Sequence, residues 1–279
     1  MHPTPHHRHS LRPAARRLLA FTLAACAAAG GVSFLLSRHA AVPSASAASV
    51  SSTAAASPAS GAASAVEEEP GLLSAQQAQA MLDDPRMVLV NHTNKMPEDY
   101  TFTTRECGSA TAVNKTLQTE AADAFLAMQA AAAREGVTIW MQSGYRSVKY
   151  QTSLYERKTK YYLDKGYDNA AAREKAAAVV NPPGYSEHNC GLAADLNSPE
   201  HTGLDKGFEK TAAFRWLCEH AGDYGFILRY PKDAEDKTEI IYEPWHWRYV
   251  GVENAAKINA SGLCFEDYIE TLQSIAAEG

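Results

Sequence analysis

The sequence predicts an α+β fold in which helices surround a small antiparallel sheet. Segments with strand and helix patterns follow one another irregularly from residue 72 onward. The sequence lacks the repeating βαβ units that would indicate a parallel sheet, and it lacks the internal repeats that would indicate a solenoid. These roughly 200 residues carry enough apolar side chains to bury a core. We therefore expect one globular domain at 72–279.

The first elements of this domain follow from the spacing of apolar residues. Residues 87–90 are all apolar and predict a short strand. From Asn114 onward, apolar side chains recur at helical spacing until Gly136, which predicts one long helix. Residues 137–141 combine β-branched and aromatic side chains, so we predict a strand that leads into the loop Ser143–Ser147.

The remaining elements are assigned by the same periodicities. A turn at 181–184, with the sequence Asn-Pro-Pro-Gly, ends one of the predicted helices. We predict further helices at 148–163, 169–180, 211–224, 253–259 and 266–276, and further strands at 192–196, 226–230 and 245–250.

The charge of the chain excludes one class of partner. The formal net charge is -6 and the isoelectric point is about 5.9. A nucleic-acid partner requires Lys and Arg clustered on one face of a domain. Here the only basic bias lies in residues 1–17, so we expect no nucleic-acid partner.

The N-terminus predicts export. Residues 1–17 are basic, and the segment 18–37 is apolar and has no charged residue before Arg38. Its length suits an uncleaved signal anchor that crosses the membrane once. Two alternatives stay open: a lipoprotein attached through Cys26, or cleavage with full secretion. The expected location is the bacterial cell membrane, with the domain outside the cytoplasm.

A linker is predicted between this segment and the domain. We assign the linker to residues 38–71. Residues 40–66 are almost entirely Ala, Ser, Val and Pro and show no helical period, and residues 67–69 are acidic. We expect this segment to be disordered and to give a membrane-anchored domain reach toward a polymeric substrate.

The cysteines leave two alternatives. Besides Cys26 there are four, an even number in a chain expected in an oxidising compartment, so one or two disulfides or four buried thiols are possible. None of them forms a Cys-x-x-Cys pair, so we expect no cysteine-rich zinc site. These four residues are Cys107, Cys190, Cys218 and Cys264.

Two segments offer the parts of a hydrolytic metal site. Such a site requires three protein ligands, an open position for water and a nearby carboxylate that is not a ligand. In the first segment, His188 lies in a Gly-bounded loop and Asp195 follows seven residues later on a predicted strand. In the second, Glu243 precedes His246 by three residues at the start of another strand.

These segments resemble a known family. Ser-x-His-x-x-Gly-x-Ala-x-Asp matches residues 186–195, Glu-x-Trp-His matches 243–246 with a continuation to Gly251, and Ser-Gly-Tyr-Arg-Ser matches 143–147, followed by Gln151. The chain is similar, over about residues 88–251, to the VanY-type zinc D-alanyl-D-alanine carboxypeptidases of peptidase family M15. That group shares its fold with Hedgehog signalling domains.

The resemblance implies one zinc ion per domain and a role for each matched residue. Glu243 is implied as general base and acid, and Arg146 as the group that neutralises the oxyanion. The implied substrate is a peptidoglycan stem peptide or its lipid-linked precursor, cut at its terminal D-Ala-D-Ala bond. The implied zinc ligands are His188, Asp195 and His246, and the implied substrate-binding residues are Ser186, Gln151, Ser143, Tyr145 and Trp245.

The sequence also bears on four other functions. A serine D,D-peptidase requires Ser-x-x-Lys and Lys-Thr-Gly motifs, and neither occurs in the chain. A dipeptidase or an endopeptidase would use the same zinc ligands, although a free dipeptide is a cytoplasmic substrate and this domain is expected outside. A non-catalytic zinc-containing wall-binding module would be expected to lack the general base.

Overall fold

A computed structural model describes residues 73–279 of the protein. The predictions for the basic segment 1–17, the apolar segment 18–37 and the linker 38–71 lie outside the described residues. Within 73–279, no helix is both long and apolar enough to cross a membrane.

The centre of the fold is a four-stranded antiparallel sheet. Its strands are arranged in the order β3, β4, β6, β5, so the two middle strands are β4 and β6. Every residue of both middle strands is buried, because helices and loops cover both faces of the sheet. The strands span Trp140–Ser143 (β3), Ala193–Asn197 (β4), Phe226–Leu228 (β5) and His246–Tyr249 (β6).

The register of this sheet brings polar residues together. Asp195 of β4 lies opposite His246 of β6 on one side and opposite Ser143 of β3 on the other. The chain just before β4 forms a 3-10 turn at Glu187–Cys190. Three separate parts of the sequence thus meet at one end of the sheet.

Helices form the rest of the fold and supply most of its core. The helix α2 (Thr119–Arg134) shows the predicted helical face, with Ala121, Phe125, Met128 and Ala132 all buried. The structure describes α1 (Ala75–Leu82), α2 (Thr119–Arg134), α3 (Val148–Asp164), α4 (Asn169–Ala177), α5 (Ala212–His220), α6 (Glu235–Thr238), α7 (Val252–Ser261) and α8 (Phe265–Ala277), and a separate two-stranded sheet of β1 (Thr104–Glu106) and β2 (Thr116–Gln118).

A second apolar cluster lies where α1 packs against α8. Leu272 of α8 is fully buried there, and Ile227 of β5 and Val250 belong to the same cluster. The C-terminal helix is thereby fixed against the edge of the central sheet.

The predicted α+β architecture is confirmed, and the predicted strand at 87–90 is wrong. Residues Pro85–Met87 form a 3-10 turn, and the residues after it have no strand partner. A side chain takes the place of that partner: Arg248 Nη2 donates to the carbonyl oxygens of Arg86 at 2.7 Å and Val88 at 2.9 Å. Residues 87–90 are apolar because they are buried or partly buried, and not because they form a strand.

The predicted helix from Asn114 begins later than expected. Residues Thr116–Gln118 pair with β1 as a strand, and the helix starts at Thr119. The strand pair was not predicted, because β1 is polar and exposed and shows no alternation of apolar side chains. The helix α1 was not predicted either, although a capping box between Ser74 and Gln77 marks its start.

The cysteines of the described region are free thiols rather than disulfides. Three of them are buried and one is exposed, and burial raises the pKa of Cys107 and of Cys190 to about 12. The alternative of unpaired thiols is therefore the one that the structure supports.

We predict that Leu272→Ala lowers the free energy of unfolding by about 2–5 kcal/mol, because it leaves a cavity between α1 and α8. Urea titration followed by circular dichroism measures this loss. Gln273→Ala, one residue along on the exposed face of the same helix, is the control and should change stability by under about 0.5 kcal/mol. A loss under 1 kcal/mol for the Leu272 variant would contradict the packing described.

Candidate metal centre

Three buried side chains converge at the end of the central sheet. Asp195 Oδ1 lies 3.3 Å from His188 Nε2 and 3.3 Å from His246 Nδ1. One atom from each residue lies within 4.8 Å of the others. The 3-10 turn carries His188, β4 carries Asp195 and β6 begins with His246.

The imidazole of His188 is oriented for metal binding. Its Nδ1 donates a hydrogen bond to the carbonyl oxygen of Gly144 at 2.7 Å, which leaves the Nε2 lone pair free. That Nε2 atom is buried and has no hydrogen-bond partner among the described residues. Burial and the nearby Arg146 guanidinium lower the pKa of His188 to about 4, so the ring is neutral at physiological pH.

This donor set fits zinc. Catalytic zinc sites use three protein ligands drawn from His, Asp, Glu and Cys, arranged around one position that stays open. Two imidazoles and one carboxylate meet here, and an unpaired imidazole nitrogen points into the cluster. The residues of this chain therefore suit the group, and they are the three that the sequence patterns predicted.

Glu243 stands beside the cluster without belonging to it. Its Oε2 lies 3.7 Å from His246 Nδ1, and the residue is 5% exposed. Burial raises the pKa of Glu243 to about 8; the neighbouring His246 opposes this rise and the Asp195 carboxylate adds to it. A carboxylate with a pKa near neutrality can both accept and return a proton.

Arg146 contacts a predicted metal ligand directly. Its Nη2 donates to Asp195 Oδ2, and its Nε donates to Ser143 Oγ at 3.0 Å. The side chain is 12% exposed and lines the same cavity as the cluster. Arg146 is thus held by the carboxylate oxygen that faces away from the two imidazoles.

The cluster opens into a cavity of about 210 Å³. One part of its wall is polar, formed by the cluster, Arg146, Glu243, Ser186 and Asn181. The remaining wall is largely apolar, formed by Leu154, Val179, Val180, Leu204, Tyr230, Ile240 and Trp245.

Two of the predicted substrate-binding residues, Ser186 and Trp245, line this cavity. Ser143 instead supports Arg146 from behind. Tyr145 packs edge-on against Phe102, with ring centroids 5.5 Å apart.

Gln151 is fully buried and does not line the cavity. Its Nε2 donates to the Asn181 carbonyl oxygen at 2.7 Å and so supports the turn that leads to Ser186. For this side chain, direct contact with a substrate stays a prediction, as it does for Ser143 and Tyr145.

Sequence reasoning missed a set of buried charges behind the cluster. Glu187 Oε1 accepts from Arg229 Nε at 2.7 Å and lies 2.8 Å from Arg248 Nη1. Arg229 also donates to Glu266 Oε2 of α8 at 2.7 Å. Although burial favours the neutral acid, the two guanidinium groups hold the pKa of Glu187 far below its usual value. The sequence signal was present but general, since charged residues within buried strands require partners.

Comparison with known proteins agrees with this geometry. A family model for the VanY D-alanyl-D-alanine carboxypeptidases matches residues 114–252. A D-alanyl-D-alanine carboxypeptidase of Enterococcus faecalis is 35% identical over 205 residues, which cover 73% of this chain and 72% of that protein.

Two solved structures share the fold. One is a mutant of the vancomycin-resistance D,D-pentapeptidase VanY from a VanB-type resistance cassette in complex with Zn(II), with a TM-score of 0.59, 34% identity and coverage of 66% of this chain and 99% of that one. The other is the LD-carboxypeptidase LdcB, with a TM-score of 0.57, 33% identity and coverage of 73% and 92%. On sequence and fold together, the chain belongs to the VanY family of D-alanyl-D-alanine carboxypeptidases, which are zinc metallopeptidases.

Proposed function

We propose that this domain hydrolyses the C-terminal D-Ala-D-Ala bond of peptidoglycan stem peptides and releases D-alanine. The observation that carries the proposal is the convergence of His188, Asp195 and His246 on one cavity, with Glu243 beside them but outside the cluster. This is the arrangement that metal-assisted hydrolysis requires: ligands, an access route and a separate proton carrier.

His188, Asp195 and His246 would hold one zinc ion per domain, since His188 Nε2 and His246 Nδ1 each lie 3.3 Å from Asp195 Oδ1. When bound, zinc supplies Lewis acidity to the scissile carbonyl and to the attacking water. Burial strengthens every charge interaction in the centre, because water is largely excluded there.

Glu243 carries the proton in this proposal. Its Oε2 takes a proton from the attacking water and then delivers it to the leaving amine. The position 3.7 Å from His246 Nδ1 is close enough to reach groups at the centre. Because Glu243 is not one of the proposed metal ligands, it can bind and release a proton while all three ligands keep their places.

Arg146 is proposed to stabilise the negative charge that develops on the carbonyl oxygen. A guanidinium has five N–H donors, and the contacts with Asp195 and Ser143 leave others to face the cavity. Because those contacts fix the group beforehand, little reorganisation is required during the reaction.

The cavity suits a small terminal residue. Its apolar wall, with Val179, Val180 and Ile240, would take the methyl group of D-alanine, and Ser186 at its polar part would donate to the terminal carboxylate. The wall-binding alternative is not favoured, since the proton carrier is present. The dipeptidase and endopeptidase alternatives are not favoured, since the matching family is a carboxypeptidase family.

We also propose that the domain acts outside the cytoplasm while attached to the membrane. The basic residues 1–17, the apolar segment 18–37 and the Ala/Ser/Pro linker 38–71 support this location. A tethered domain at 72–279 would reach stem peptides in the wall and on lipid-linked precursors.

Glu243→Gln should lower the rate of D-alanine release by about 10²–10⁴-fold, because the proton carrier is lost. Release from a pentapeptide ending in D-Ala-D-Ala is the assay, and zinc content by mass spectrometry should stay unchanged. Glu235→Gln, an exposed glutamate in the same chain segment, is the control and should retain full activity. A variant that keeps more than a tenth of the parent rate would overturn this role.

Arg146→Lys should lower kcat by about 10²–10³-fold with little change in KM, since one ammonium cannot both hold Asp195 and meet the oxyanion. Steady-state kinetics on the same pentapeptide measures both constants, and Arg157→Lys on the exposed face of α3 is the control. Loss of zinc from the Arg146 variant would instead show that the residue acts only through Asp195.

Fractionation of cells that express the full chain tests the proposed attachment. We expect the protein in the membrane fraction, accessible to protease added outside the cytoplasmic membrane. Cys26→Ala should leave the mass of an uncleaved signal anchor unchanged apart from the substitution, but it should abolish the lipidation and cleavage of a lipoprotein, which mass spectrometry detects. Recovery of the unaltered chain in the cytoplasm would contradict the proposed location.

A further inference from the structure

Glu187 is a buried acid that no step above uses. It directly precedes His188 in the chain and is 0% exposed. Its Oε1 is held by two arginines, as described above. Its Oε2 has no hydrogen-bond partner among the described residues and lies 3.5 Å from His246 Nε2, which has none either.

The imidazole of His246 must adopt one particular tautomer to serve as a ligand. Its Nδ1 faces Asp195 Oδ1 at 3.3 Å, on the side of the proposed metal position. A neutral imidazole carries one proton, and only the unprotonated nitrogen can bind a metal. The proton must then lie on Nε2, the atom that faces Glu187.

The carboxylate of Glu187 is fixed in position and charge. Arg229 and Arg248 are both fully buried and hold its Oε1, which directs Oε2 toward His246. Glu266 of α8 binds the other end of Arg229, so two buried cations are balanced by two anions. The family match ends at residue 252, and Glu266 therefore lies beyond it.

We propose that Glu187 is a positioning residue for the metal ligand His246: its Oε2 accepts the Nε2 proton and so presents the Nδ1 lone pair to the metal. The inference rests on the proposed ligand set. Carboxylates that orient metal-binding histidines in this way raise metal affinity and fix the ring. The C-terminal helix takes part, because Glu266 and Arg229 keep Glu187 in place.

Nitrogen NMR of the unaltered full chain, labelled with ¹⁵N-histidine and loaded with zinc, tests the tautomer directly. We expect one bound imidazole protonated on Nδ1, which is His188, and one protonated on Nε2, which is His246. The Nε2 proton should exchange slowly with water, because Glu187 buries it. A zinc-loaded protein with both rings bound through Nε2 would overturn the inference.

Glu187→Gln keeps the size and shape of the side chain but places a hydrogen-bond donor, instead of an acceptor, opposite His246 Nε2. The two arginines require the amide oxygen, which turns the amide NH₂ toward His246 Nε2 and favours a proton on Nδ1 instead. We expect zinc affinity, measured by competition with a chromophoric chelator, to fall by about 10–100-fold.

Glu266→Gln is the matched control, since it removes one negative charge from the same Arg229 and does not touch His246. Its zinc affinity should stay within threefold of the parent value. Equal losses of affinity in both variants, or no loss in the Glu187 variant, would overturn the inference.

These readouts require no substrate, so they are separate from the proposed function. If the zinc-loaded parent released no D-alanine, the proposed function would fail while the tautomer and affinity results stood.

Discussion

The antiparallel register of β4 and β6 is the constraint on which the rest of the site depends, because it sets Asp195 directly opposite His246. A slip of one residue would turn either side chain to the other face of the sheet. The 3-10 turn before β4 then adds His188, held by its hydrogen bond to the Gly144 carbonyl oxygen. Strand pairing therefore places Asp195 and His246, and a short hydrogen-bonded turn places His188. Fixed elements of this kind suit a site that must bind a metal in one geometry.

Burying so many charges is costly unless each has a partner, and the structure meets this requirement in two layers. In the layer that lines the cavity, Arg146 binds the outer oxygen of Asp195. In the layer behind it, Arg229 and Arg248 surround Glu187. Removal of one partner from a buried pair leaves an unpaired charge that costs about 3–5 kcal/mol. The α1–α8 pair covers the edge of the sheet and helps keep these groups away from water.

The parts of the fold that the sequence predicted are those with long periodic patterns or fixed motif spacing. The helical face of α2 and the ligand motifs are of this kind. The failures have physical causes: Arg248 replaces a strand partner after Met87, and the polar, exposed β1 has no alternation to reveal it. The specific partners of Glu187 could not be predicted either, because Arg229, which joins Glu187 to Glu266, is far from both in sequence. Motif spacing indicates which residues can be ligands, whereas only the folded chain shows what holds them.

Titration of the metal-stripped full chain with zinc, with D-alanine release from a D-Ala-D-Ala pentapeptide as the readout, tests the central claim most directly. The account predicts no release without metal and a rate that rises linearly until one zinc per chain, then stays constant. Release by the stripped protein, or none at full zinc loading, would contradict it.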